Sequence, residues 1–199
     1  SQNTSVNMLG RKRNWYFNGW ESRKEMSSSG RVRTVWTYND DYYAFDLSPK
    51  AFRLLKICFI AVPALIVLLW VFFSLIKSIG RDTVLYVGAF WYVSVIPMIY
   101  MVMGAAGAFK LQPEMTYRDI YACYRRIKVA SWILPVLFLL SIIGNVVFLI
   151  IYKEYFSIQT ELLWMIGAFV LFLLSLFLFI VQVKVKNKIK VVKKKTEEE

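Results

Sequence analysis

The chain has 199 residues, of which 58% are hydrophobic and 17% aromatic, with a mean hydropathy of +0.48 and a formal net charge of +12. Soluble domains hold roughly 45–50% apolar residues, and disorder requires low hydrophobicity, so neither describes the bulk of this chain. With 9 Gly, 5 Pro and 2 Cys, collagen-like and disulfide-stapled folds are excluded as well.

Residues 1–13, with Arg11, Lys12 and Arg13, read as a disordered basic start. The character changes over 14–47. The segments NWYFNGWES and RVRTVWTY are rich in aromatic and β-branched residues, as strands are. A flexible turn, Met26 to Gly30, separates them, and Asn39-Asp40-Asp41 precedes YYAFDL. The pattern predicts a small cytoplasmic antiparallel hairpin or meander of two or three strands over 14–47. In its second strand Val32, Thr34, Trp36 and Tyr38 share one face. Such a sheet buries too little to be stable alone. Trp15, Trp20, Trp36 and Tyr38 are therefore candidate partner-binding residues, unless the aromatic face packs on the chain's own helices.

Ser48-Pro49 offers a helix start, with Pro in the first turn. Four stretches free of Asp, Glu, Lys and Arg follow: Ile57–Ile76, Thr83–Phe109, Val129–Tyr152 and Leu162–Val183. At about 1.5 Å per residue each is long enough to cross about 30 Å of hydrocarbon. They predict four membrane helices within a domain spanning 48–183. The first 50 residues contain no apolar signal-peptide core, so the first helix is expected to serve as its own insertion signal. None of the four stretches holds a charge. That argues against a proton relay, a voltage sensor or a carboxylate-based cation site.

Pro63, Pro97 and Pro135 fall in helices 1, 2 and 3; each frees a backbone carbonyl, and together they make a cavity between the helices conceivable. Gly104 and Ala108 form a small-xxx-small pair suited to close helix packing. Gly144 and Asn145 are candidates for a second tight, hydrogen-bonded contact. After Pro113, Thr116 followed by Asp119 resembles a helix cap, and Tyr117, Tyr121, Tyr124 and Lys128 recur at helical spacing. A loop helix over 116–128 follows, its tyrosines free to grip the sheet. Arg125 and Arg126 are candidate ligands for phosphate or lipid headgroups, with topology anchoring as their simpler role. Helix 4, with Phe169, Phe172, Phe177 and Phe179, reads as lipid-facing around much of its girth, and 184–199 as a charged cytoplasmic tail beside the lipid surface.

Orientation follows from the basic residues. Residues 1–56 hold ten Lys and Arg, 110–128 hold five and the stretch after Val183 holds seven; the other two connections hold only Lys77, Arg81 and Lys153. Cytoplasmic loops carry such an excess, so both termini and the middle loop are expected to be cytoplasmic. The same asymmetry accounts for the net charge without nucleic acid.

The chain lacks histidine, which removes imidazole metal ligands and Ser-His-Asp catalysis. Cys58 and Cys123 sit on the reducing side or at its boundary, where a disulfide is not expected. No Walker A or GxGxxG stretch occurs, so no nucleotide fingerprint is present. No nucleophile–base pair supports an enzyme, and no metal or other cofactor is expected.

The segments WYFNGWES, DDYYAFDL and MTYRDIYACYRR resemble segments of small uncharacterised multi-pass membrane proteins of Gram-positive anaerobic bacteria. The resemblance covers most of the chain, implies a bacterial cell-membrane protein and brings no activity to transfer. The expectation is an all-α transmembrane protein: a four-helix membrane bundle with a small cytoplasmic β element at the N-terminus. Absent chemistry and unpaired aromatic surface favour a non-catalytic accessory or scaffold subunit that binds the bilayer and another membrane protein or itself. The rivals are a small-solute transporter or channel acting as an oligomer and, behind it, a lipid-modifying enzyme.

Overall fold

A computed structural model of the chain describes residues 20–26, 32–38, 42–152, 158–186 and 188–192. The expectations for 1–13, for Trp15, for the turns at 27–31 and 39–41, and for 193–199 lie outside the described residues.

Strands β1 (Trp20–Met26) and β2 (Val32–Tyr38) pair antiparallel as a two-stranded sheet, with Trp20 opposite Tyr38 and Met26 opposite Val32. The third segment leaves this hairpin. Strand β3 (Tyr42–Phe45) instead pairs antiparallel with β4 (Glu114–Met115) on one side and β5 (Ile189–Val192) on the other. This is a correction to a third strand paired only within 14–47, and it adds a strand to the charged tail read from 184. The β-branched segment Ile189–Val192 has high strand propensity and covers β3's second edge, which left unpaired would be a liability. The resulting order β4-β3-β5 ties together the chain before the first long helix, the middle loop and the segment after the last long helix.

Four helices are long and apolar enough to cross a membrane: Pro49–Leu75, Leu85–Ala108, Arg118–Ile151 and Ile158–Lys186. Helix α1 (Pro49–Leu75) starts as its sequence dictates. Ser48 Oγ accepts from the Ala51 N–H at 3.3 Å, and Pro49, which has no N–H to satisfy, occupies the first turn. Only a narrow stripe of α1, Leu55, Phe59, Pro63 and Ile66, is buried, while Leu54, Leu68, Phe72 and Leu75 are exposed.

A five-residue helix, α2 (Ile79–Thr83), lies at the end of the bundle away from the three-stranded sheet. The second crossing is broken into α3 (Leu85–Val93) and α4 (Val95–Ala108), with Ser94 as the turn between them. Pro97 explains the break: it has no N–H to offer the carbonyl four residues earlier. The buried Ser94 hydroxyl donates to the Trp91 carbonyl at 2.6 Å.

Beyond β4 the loop helix forms as expected. Thr116 Oγ1 donates to Asp119 Oδ2 at 2.8 Å and accepts from the Asp119 N–H at 3.4 Å. Helix α5 (Tyr117–Ile120) then passes through a π-helical turn, Tyr121–Arg125, into α6 (Arg126–Ile151). Tyr124 grips a helix rather than the sheet: its hydroxyl donates to the Gln182 carbonyl at 3.1 Å, and Gln182 Nε2 donates to the Tyr124 carbonyl at 3.3 Å.

Helix α7 (Ile158–Lys186) extends beyond the charge-free stretch at both ends and brings Glu161 inside the helix. Its buried face, Glu161, Trp164, Ala168, Leu171, Ser175, Leu178 and Gln182, recurs at three- and four-residue spacing and packs on α1 and α6. Phe169 and Phe177 lie on the exposed remainder. Trp91 forms the core's centre. Its ring stacks on Trp70 at 5.8 Å and meets Trp164 at 5.0 Å and Phe138 at 6.0 Å, and its Nε1–H donates to Ser74 Oγ at 3.0 Å.

Candidate functional site

The polar interior concentrates at the α2 end. Ser78, Ile79 and Gly80 open α2, and the first N–H groups of any helix lack intrahelical acceptors. Glu161, fully buried, supplies the acceptors from α7: Oε1 accepts from the Ile79 N–H at 2.5 Å and the Gly80 N–H at 3.3 Å, and Oε2 from the Ser78 hydroxyl at 2.8 Å. A carboxylate at a helix N-terminus is also favoured by the backbone dipoles. Arg81, 6% exposed, serves the adjoining helix end: Nη1 donates to the carbonyls of Phe73 at 3.2 Å and Ser74 at 3.1 Å, among the last carbonyls of α1. Its Nε pairs with Asp82 Oδ1 at 2.7 Å. Glu161 thus pins α7 to α2, and Arg81 pins α2 to α1.

This arrangement corrects the expectation that the membrane helices hold no buried charge. The charge-free stretch began at Leu162, one residue past the carboxylate. The signal that reveals Glu161 is the buried stripe of α7, which runs back through Trp164 to position 161.

Asn145 lies fully buried beside this cluster, with its Oδ1 against Gly80, where a methyl group would collide with it and with Phe148. The close contact expected of Asn145 is present, but neither of its amide atoms has a hydrogen-bond partner among the described residues. Gly144 sits in ordinary van der Waals distance of Tyr86 and Val87; a Cβ there would lie 3.4 Å from both. Gly104 is tighter: a Cβ would fall 2.7 Å from Ile127 Cγ1 and 3.1 Å from Arg126 Cβ. Ala108 is fully buried on the same helix. Sequence spacing missed Gly107, where a Cβ would lie 3.0 Å from the Ala122 carbonyl oxygen.

The chain matches no protein-family model, no curated protein and no solved structure. Among the described residues no three His, Cys, Asp or Glu side chains converge as metal ligands. Of the three prolines, Pro97 lines an apolar groove between α4 and α6, while Pro63 and Pro135 are buried within their helices' packing.

At the opposite end, the strand register places Trp20, Ser22, Lys24, Met26, Val32, Thr34, Trp36 and Tyr38 on one face of the β1–β2 hairpin. Glu21, Arg23, Glu25, Arg33, Val35 and Thr37 take the other face, with Glu25 opposite Arg33. On the first face Ser22, Lys24, Met26, Val32 and Thr34 are exposed. The register thus assigns positions 20, 36 and 38 to the face that also carries the exposed Met26 and Val32. Arg125 is exposed at the end of the π-helical turn, and Arg126 lies half-buried with its guanidinium 5.9 Å from the centre of the Tyr100 ring.

Proposed function

We propose that the protein is a non-catalytic, multi-pass cell-membrane protein that serves as an accessory or scaffold subunit, presenting the β1–β2 hairpin to the cytoplasmic part of another membrane protein. The observation that carries this reading is the hairpin itself. It is a separate two-stranded sheet, a unit of marginal stability in water by itself, and the face bearing its tryptophans is the one whose Met26 and Val32 are exposed. Tryptophan and tyrosine dominate the energetics of many interfaces.

The orientation has both termini and the middle loop in the cytoplasm, supported by the distribution of Lys and Arg. Thr83 is exposed at the α2 end and Ser22 on the hairpin, so both accept a labelling cysteine. In a chain with Cys58→Ser and Cys123→Ala, Thr83→Cys should react with an impermeant maleimide on intact cells, and Ser22→Cys only after permeabilisation. The reverse pattern would invert the orientation.

Docking is tested by placing a photo-crosslinking residue at Thr34, on the open face, and at Val35, on the other. The first should yield one discrete adduct with a membrane protein and the second little. Deleting 20–38 should remove the adduct partner from the purified complex and leave four inserted helices and the melting temperature nearly unchanged. A large drop in melting temperature with the partner retained would mean that the hairpin packs on its own chain.

A further inference from the structure

Arg126 has an environment that its neighbours do not complete. It opens α6 just before the charge-free stretch that starts at Val129. Its stem crosses α4 where Gly104 has no side chain, with Arg126 Cβ 3.1 Å from the site a Gly104 Cβ would occupy. Its guanidinium then lies over Tyr100, one helical turn along α4. Its Nε is buried and has no hydrogen-bond acceptor among the described residues, and no carboxylate among them pairs with it. A guanidinium held in apolar surroundings calls for an anion.

The site has a second component. Between α4 and α6 runs an open groove of about 420 Å³, lined by Ile96, Ile99, Tyr100, Met103, Val129 and Ile133. Tyr100, the ring under the guanidinium, is also part of the groove wall. Arg126, Val129 and Ile133 follow one another at helical spacing along α6, so the cation stands at one end of an apolar channel. Exposed Arg125 and Lys128 add positive charge at the same level.

We propose that this site binds one anionic phospholipid, its phosphate held by the Arg126 guanidinium and one acyl chain lying in the α4–α6 groove. Charge complementarity selects the headgroup: the guanidinium fork matches two phosphate oxygens, and the positive charge of Arg126 and the basic residues around it disfavours the choline cation that a zwitterionic lipid would bring with its phosphate. The apolar groove selects a lipid over a free phosphate. The inference rests on the membrane reading and not on hairpin docking, so failure of the crosslinking experiment leaves it standing.

The test is native mass spectrometry of the full chain released from detergent micelles carrying dioleoylphosphatidylglycerol or dioleoylphosphatidylcholine. The protein should retain one phosphatidylglycerol with about tenfold preference, the size expected of one charge-assisted contact. Arg126→Gln should abolish the preference, and Arg126→Lys should restore part of it. Ile133→Trp, which fills the groove with Arg126 in place, should lower retention of the lipid. Lys186→Gln, an exposed basic residue away from the groove, should change nothing. Excess glycerol 3-phosphate should not displace the lipid. The proposal is overturned if Arg126→Gln keeps the preference, if Lys186→Gln weakens it equally, if Ile133→Trp has no effect, if glycerol 3-phosphate competes, or if a second protein chain crosslinks into the groove in place of lipid.

Discussion

Glu161→Ala should lower the unfolding free energy by about 3–5 kcal/mol, because it strands three donors in the interior at about 1–3 kcal/mol each when fully unsatisfied. The Ser78 hydroxyl and the N–H groups of Ile79 and Gly80 would be left facing an apolar interior without their acceptor. Ser78 Oγ also accepts from the Arg81 N–H at 3.2 Å, so the disturbance reaches the residue that caps α1. Glu161→Gln keeps one acceptor oxygen and should fall between the parent and the alanine variant. Reversible unfolding in mixed micelles measures both. If both variants stay within about 0.5 kcal/mol of the parent, the range of an ordinary surface substitution, the carboxylate is not the pin described here.

Gly104→Leu should be comparably severe for a different reason. The added side chain meets Ile127 Cγ1 and also the Ile127 backbone nitrogen, which a Cβ alone would approach to 3.1 Å. A flexible side chain can give way, but a helix backbone moves only with its whole packed face. Overpacking typically costs about 1–3 kcal/mol, and loss of the α4–α6 approach should place this variant at or above the top of that range. Phe172→Leu, on the partly exposed side of α7, removes packing at the rim and should cost about 1 kcal/mol or less. The same unfolding measurement ranks the two; equal effects would mean that the Gly104 face carries no close contact.

What the sequence made legible was whatever a local pattern encodes. The four long apolar helices, the Ser48-Pro49 start, the Thr116–Asp119 cap and the shared face of Val32, Thr34, Trp36 and Tyr38 all follow from spacing along a single element. The pairing of β3 was not legible, because Tyr42–Phe45 adds its partners from the middle loop and from beyond α7, and neither partner is marked by a local turn. Glu161 was missed because a stretch defined by absence of charge stops at the first charged residue, even when the helix continues. Position 161 continues a buried stripe that Trp164, Ala168 and Leu171 already announce. Gly104 stood out as half of a small-residue pair, whereas Gly107 could be found only from the approach of the Ala122 carbonyl. The π-helical turn at Tyr121–Arg125 has no sequence signature that periodicity would reveal.

The order of strands in the three-stranded sheet also sets a timetable for biosynthesis. β3 leaves the ribosome before any of the long helices, β4 after two of them, and β5 only after the fourth. At about 5–20 residues per second, β3 waits on the order of ten seconds for the strand that covers its second edge. Throughout that interval β3 keeps at least one edge open, first without any neighbour and then with β4 alone beside it. Pairing of Phe45 with Ile189 closes that edge and joins the two ends of the helical bundle's chain in one sheet.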